Sequence, residues 1–161
     1  MLPVRALVYE RSVLSDRFCF ARNCRETGLF ELAEWSIYLQ WWTWLIRSFN
    51  GLHLDGIVYL RSSPGTCLER LRKRHRTEES GIGEEYLQQL HERHESWLLR
   101  GKIPSEFRRP VLVLDCDQEF ESDEARSDHV LALVDRFLER LNATLGAAST
   151  ATTIASTTPA A

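Results

Sequence analysis

Residues Gly56-Ile57-Val58-Tyr59-Leu60-Arg61-Ser62-Ser63-Pro64 decide how the chain folds. The first six are apolar nearly throughout, the composition of a strand covered on both faces. Ser63 then offers an N-cap and Pro64 a first-turn proline, so the strand leads straight into a helix. That helix carries Cys67, Leu68 and Leu71 on one side and a run of basic residues on the other, and Gly81 and Gly83 interrupt it.

Outward from this unit, Val111-Leu112-Val113-Leu114-Asp115 repeats the buried-strand pattern, and Val4 to Tyr9 reads as a short strand ahead of both. Residues from about Leu29 to Phe49 read as a long helix with Leu32, Trp35, Leu39, Trp42, Ile46 and Phe49 on one face. Trp41, Trp44 and Leu45 widen that apolar arc, which predicts cover on more than one side. A further helix from about Glu84 to Leu99 aligns Leu87, Leu90 and Trp97. A last one aligns Val130, Leu133, Val134, Phe137, Leu138 and Leu141. Strands alternating with helices predict an α/β fold, a doubly wound parallel sheet with right-handed crossovers and helices on both faces. Ligands collect at the carboxyl ends of such strands. Here those ends carry Glu10-Arg11-Ser12, Arg61-Ser62-Ser63 and Asp115-Cys116-Asp117.

The 161 residues suit one domain with a real core, at 43 % hydrophobic and 27 % charged residues. We read residues 1–145 as that domain. Residues 146–161, rich in Ala, Ser and Thr without apolar periodicity, read as a disordered tail. A net charge of -3 exerts no overall pull on nucleic acid or anionic membrane. Cys19, Cys24, Cys67 and Cys116 form no CxxC pair and no zinc-type cluster, and read as reduced thiols of an intracellular protein. The aromatic run Trp41 to Ile46 is far short of the ~20 residues of a membrane span, and Arg47 closes it. Met1 to Arg5 lacks the apolar core of a signal peptide.

Two segments carry chemistry. Arg70-Leu71-Arg72-Lys73-Arg74-His75-Arg76-Thr77-Glu78-Glu79 packs five basic residues and then two carboxylates into a helix end and the turn beyond it. Arg70 and Arg74 share a helical face, and Arg76 follows where the helix gives way to a loop. Arginines converging on one point suit a group whose charge is spread over several oxygens, as in phosphoryl transfer. The same run also reads as a solvated basic face. In Glu10-Arg11-Ser12-Val13-Leu14-Ser15-Asp16-Arg17-Phe18-Cys19-Phe20, arginines and carboxylates follow the first strand. A purely structural reading pairs Glu10 with Arg17 and caps a helix with Ser15 or Asp16. Phe18 and Phe20 read either as core or as platforms for a planar base. An RNA-binding role for Arg70 to Arg76 is disfavoured, because interleaved aromatics are lacking and Glu78, Glu79, Glu84 and Glu85 would repel phosphates.

These residues resemble a known family. Glu10-Arg11-Ser12 with Ser15-Asp16-Arg17 is similar to the "ERS" segment of the deoxyribonucleoside kinases related to deoxycytidine, deoxyguanosine and mitochondrial thymidine kinases. Tyr59 to Pro64, with Cys67 and Arg70 to Glu79, resembles that family's lid. Tyr86-Leu87, Leu90-His91, His94-Glu95 and Trp97-Leu98 match the pattern beyond it, and Val111 to Phe120 resembles the loop for the donor base. The likeness runs from about Val4 to Leu141 and implies a P-loop kinase-like sheet.

The resemblance also implies roles. Arg11 holds the substrate 5′-oxygen and phosphate, with Glu10 beside it near a magnesium site. Arg70, Arg74 and Arg76 close over the transferred phosphate, the last two also on the ATP side. Glu79 accepts from the sugar 3′-hydroxyl, Phe20 stacks on the base, and Tyr86 lines the substrate pocket. Gln118, Glu119 and Phe120 face the donor base. Asp16 marks a preference for deoxycytidine or purine deoxynucleosides over thymidine, since a carboxylate suits a base edge offering N–H donors. ATP or another nucleoside triphosphate with Mg2+ is the implied donor, and a homodimer through the Trp-rich helix the implied assembly. The implied compartment is cytoplasmic or mitochondrial.

A P-loop needs GxxxxGK followed by Ser or Thr. Gly101-Lys102 is the one Gly-Lys pair; Ile103 follows it and no glycine stands five residues before it. Relatives carry this loop, and their general base, ahead of the ERS strand. The chain is therefore expected to lack the N-terminal strands, to fold marginally and to be inactive alone. The alternative is a non-catalytic truncated isoform whose Trp41 and Trp44 face binds intact kinase subunits.

Overall fold

The computed structural model describes residues 6–49, 54–118 and 123–155, with side chains described through residue 145. It divides into two compact units, Tyr9–Asp117 and a second made of Met1–Val8 with Gln118–Ala161.

The larger unit opens with a continuous helical run, α1 (13–26). It begins with an α-turn, Val13–Ser15, passes through a π-helical turn, Asp16–Phe20, and ends as α-helix, Ala21–Glu26. Helix α2 follows at Leu32–Ser48 and strand β1 at Ile57–Arg61. Helix α3 occupies Pro64–Arg74, and a 3-10 turn, Thr77–Glu79, leads on to α4 at Glu84–His94. A second π-helical turn, Glu95–Leu99, extends α4; a 3-10 turn, Ser105–Phe107, then leads to strand β2 at Val111–Asp115. The strands pair in parallel, from Ile57 opposite Val111 to Arg61 opposite Asp115.

The strand–cap–helix unit forms as its sequence requires. Ser63 accepts the Thr66 N–H at 3.3 Å with Pro64 in the first turn, and Leu68 is the buried residue of α3. The helix stops at Arg74, ahead of the glycines, because His75 adopts the left-handed conformation (φ 50°) and returns its N–H to Arg72.

Two expectations change. No strand forms at Ala6–Tyr9; Val4 and Arg5 lie outside the described residues. A strand exists only by pairing, and Leu7, Val8 and Tyr9 are 83, 85 and 69 % exposed. Helix α2 is covered along one side only: it has no buried residue, and Trp41 and Trp44 stand 64 and 52 % exposed. The covered side is Trp35, Tyr38, Leu39, Trp42 and Ile46, whereas Leu32 and Phe49 at its ends are exposed. In the smaller unit, helix α5 is assigned over Glu124–Ala155. The apolar stripe expected from Val130 to Leu141 matches the less exposed positions of α5, with Phe137 buried.

The core of the larger unit is Leu14, Phe18, Trp97 and Ile103, with Trp42, Leu54, Ile57, Leu98 and Phe107 packed against it. Both π-helical turns supply it. A π turn carries one more residue per turn than an α-helix and recurs at functional sites. Here the two turns bring Phe18 and Trp97 to 6.1 Å between ring centres. Ile103, the residue after the lone Gly-Lys pair, is part of this core, so that loop serves packing.

Candidate functional site

The segment before α1 is set by a reciprocal cap. Ser12 Oγ accepts the Ser15 N–H at 3.2 Å and Ser15 Oγ accepts the Ser12 N–H at 2.8 Å. The cap is thus Ser12, not Ser15 or Asp16, and it frees Asp16 to face outward. Arg17 stacks its guanidinium over Trp35 at 4.6 Å, with Phe18 and Trp42 also in range, so this side chain is committed to the α1–α2 interface. Phe18 is core. Phe20 is half-buried.

Arg11, one residue before this cap, has φ 65°, a left-handed conformation that costs a non-glycine residue about 1–3 kcal/mol. The turn aims its guanidinium over the Phe20 ring at 4.8 Å. Its charge also opposes the rise that burial imposes on the Tyr86 phenol. Arg11, Phe20 and Tyr86 therefore form one neighbourhood. Glu10 is exposed beside it. Among the described residues no group of three His, Cys, Asp or Glu could hold a metal ion.

The arginine run behaves as a second neighbourhood. Arg70 donates to Ser62 Oγ at 3.1 Å, and Ser62 Oγ donates to the Cys116 carbonyl at 3.1 Å. Asp117 accepts the Ser63 N–H at 2.6 Å, a bond that holds its carboxyl below the usual range. Arg70 is thereby tied to the carboxyl edge of the sheet. Beyond α3, Arg74 and Arg76 reach the same carboxylate: Glu79 lies 3.2 Å from Arg74 and 3.6 Å from Arg76. Glu79 is 17 % exposed, whereas the arginines are more than half exposed. The arginine side of each pair is thus open to solvent, whereas Glu79 Oε2 is buried and has no hydrogen-bond partner.

Gln118 accepts a hydrogen bond from Arg126 of α5, and Glu119 and Phe120 lie outside the described residues.

Sequence reasoning missed two groups. Tyr38 on α2 donates to Asp16 Oδ2 at 2.6 Å. Glu95, at the start of the second π turn, accepts from Arg61 at 2.9 and 3.1 Å and from Tyr59 at 3.1 Å. Its signal was a carboxylate inside the apolar stripe of a helix, a position that demands a partner. The Arg61 guanidinium holds the Glu95 carboxyl below the ordinary range, with Tyr59 assisting. A carboxylate lowered on folding stabilises the folded state above its unfolded pKa of about 4.3, and this is lost as pH falls through the lowered value. The stability difference between wild type and Glu95→Gln is accordingly expected to shrink as pH falls below about 4. Denaturant titrations across that range check it; a pH-independent difference overturns it.

Cys19, which is buried, is not a nucleophile candidate on this geometry. Cys19 Sγ lies 3.2 Å from His94 Nδ1, yet burial pushes the thiol up to about 12 and the imidazole down. Both are neutral at pH 7, unlike a thiolate–imidazolium pair. No helix among the described residues is long and apolar enough to cross a membrane.

Comparison with known proteins meets the same residues. The family "Deoxynucleoside kinase" matches residues 3–139. The chain is 43 % identical over 135 residues to deoxycytidine kinase 2 of Gallus gallus, covering 81 % of this chain and 51 % of that protein. Human deoxycytidine kinase is 41 % identical over 140 residues, covering 84 % and 53 %. The mitochondrial deoxyguanosine kinase of Xenopus laevis is 39 % identical over 139 residues, covering 83 % and 52 %. The chain spans about half the length of these relatives. With strained Arg11 over Phe20, the arginines at Glu79 and a match across nearly the whole chain, this protein belongs to the deoxynucleoside kinase family.

Proposed function

We propose that the chain supplies the acceptor side and the lid of a deoxyribonucleoside kinase. In that reaction the 5′-hydroxyl of a deoxynucleoside attacks the γ-phosphorus of ATP or another nucleoside triphosphate. The new O–P bond replaces the bond to the β-phosphate oxygen, and the hydroxyl proton passes to a base. The products are a deoxynucleoside monophosphate and a nucleoside diphosphate, a salvage reaction. The observation that carries this reading is Arg74 and Arg76 meeting at one carboxylate just beyond α3, with both guanidinium groups more than half exposed.

Arg11 would hold the 5′-oxygen side of the acceptor, and Arg70, Arg74 and Arg76 the charge that develops on the phosphoryl oxygens. Phe20 and Tyr86 line the acceptor base and sugar, and Glu79 takes the 3′-hydroxyl once the arginines leave it. Gln118, Glu119 and Phe120 are assigned to the donor base. Mg2+ is bound in such sites through one or two carboxylates plus phosphates, which Glu10 alone fits as a single ligand. The absence of GxxxxGK[ST] leaves the 161-residue chain without a donor-phosphate cradle, and we expect no turnover from it alone. Its place of action is inside the cell, in cytoplasm or mitochondrion.

Asp16 sets the base preference, for deoxycytidine or purine deoxynucleosides over thymidine. Calorimetric titration of the chain with deoxycytidine, deoxyguanosine and thymidine tests this. Asp16→Ala is expected to bring the three affinities within about threefold of one another, from a wild-type difference of about tenfold or more. An unchanged ranking, or no nucleoside binding at all, counts against the reading.

A second reading has its own observation. Trp41 and Trp44 stand on the open side of α2, where a shallow groove is lined by Ser36, Leu39, Gln40, Thr43, Trp44 and Arg47. This face suits association with kinase subunits, as a homodimer or as a non-catalytic isoform on intact enzyme. Altered activity of an intact relative on adding the chain supports that role; unchanged activity opposes it.

A further inference from the structure

We propose that Tyr38 is a specificity-determining positioning residue, holding the Asp16 carboxylate in the orientation that reads the nucleobase. The inference rests on the reading of Asp16 above and adds a residue to it from a different helix.

The geometry is direct. The Tyr38 hydroxyl donates to Asp16 Oδ2 at 2.6 Å, a short bond to an anionic acceptor. Tyr38 itself is anchored: its ring stacks on Trp35 at 5.5 Å and 13°, and Phe30 packs against it at 6.1 Å. Trp35 in turn lies under Arg17, the residue after Asp16. Trp42, one turn further along the covered side of α2, donates to the Val13 carbonyl at 3.0 Å. Helix α2 is thus clamped to the start of α1 above and below the Tyr38–Asp16 bond.

The chemical consequence concerns the second oxygen. Asp16 is exposed, and an exposed aspartate samples several rotamers. With Oδ2 engaged by Tyr38, Oδ1 is left as an acceptor with a defined direction. That suits an exocyclic amine on the base, as cytosine, adenine and guanine offer. Thymine presents a methyl group and a carbonyl on the corresponding edge and gains nothing from an oriented acceptor. Tyr38 therefore acts on the difference between bases rather than on binding in general.

The test is a double-mutant cycle on the full 161-residue chain, with deoxycytidine and thymidine as probes and calorimetric affinities as the readout. Tyr38→Phe keeps the ring and its stacking and removes only the hydroxyl. It is expected to weaken deoxycytidine about three- to tenfold and to change thymidine less than about twofold, the loss of one charge-assisted hydrogen bond. In an Asp16→Ala background the same change is expected to have no effect on either nucleoside. A thermal melt of each variant reports folding separately. Equal weakening of both nucleosides, or the same loss with Asp16 already absent, overturns the role of Tyr38 while leaving the kinase reading intact. A wild-type chain that binds neither nucleoside overturns both.

Discussion

Alanine at Arg74 or Arg76 is expected to lower phosphoryl transfer by roughly 10²–10³-fold, the loss typical when one preorganised donor to a developing charge is removed. The measurement needs a competent enzyme, which a chimera provides: this chain joined to the part of the Gallus gallus deoxycytidine kinase 2 that it does not match. The size of the effect follows from the geometry. In the ground state both guanidinium groups already have a partner, since Arg74 and Arg76 lie 3.2 and 3.6 Å from Glu79. Exchanging one anionic partner for another gains little in binding the substrate. The gain comes as charge spreads over the phosphoryl oxygens in the transition state, where a planar fork of donors matches it best. The change should therefore fall on kcat with KM altered only a few-fold, the signature of an interaction made in the transition state alone. Arg74→Lys should recover only part of the loss, because an ammonium is a point charge. A loss below about fivefold in kcat at both positions would remove these arginines from the catalytic account.

The Phe18→Ala variant is expected to lose ~3–5 kcal/mol of stability, the usual cost of emptying an aromatic site in a packed core. Phe18 is 7 % exposed and sits where four parts of the larger unit meet. Its ring centre lies 6.1 Å from Trp42 on α2, 6.1 Å from Trp97 in the second π turn and 5.6 Å from Phe107 in the 3-10 turn before β2. No other described ring is recorded against all three. The cavity cannot close by moving a single side chain, because each neighbour is held by a different backbone segment. Against a typical total of ~5–15 kcal/mol, such a loss brings the chain near its unfolding threshold. Urea denaturation followed by tryptophan fluorescence measures it, and a change below about 1 kcal/mol would show that Phe18 is not the keystone of this core.

These residues also show how far the sequence could be read. The arginine run stood out by composition and position, as a basic cluster directly after a strand, cap and helix. Phe18 and Phe20 did not separate by type or spacing. Both lie in one π-helical turn, and the extra residue of that turn sends Phe18 into the core and Phe20 under Arg11. A pattern based on 3.6 residues per turn does not anticipate such a shift. The Ser12 cap was missed for a related reason, since Ser12 and Ser15 are both plausible caps three residues apart and only the reciprocal bonds decide.

What the sequence by itself determined is local: Ile57–Arg61 and Val111–Asp115 as strands, Ser63-Pro64 as a helix start and the inward stripe of α5. Each depends on residues a few positions apart, whose side chains and capping groups are neighbours whatever the rest of the chain does. The family likeness was carried by the same short motifs. Only the tertiary structure decided the long-range matters. They include Tyr38 on Asp16, Glu95 between Arg61 and Tyr59, the open side of α2 and the unpaired backbone of Ala6–Tyr9. A hydrogen bond between residues 22 or 34 positions apart exists only where packing brings two elements together, and a strand exists only where another edge receives it.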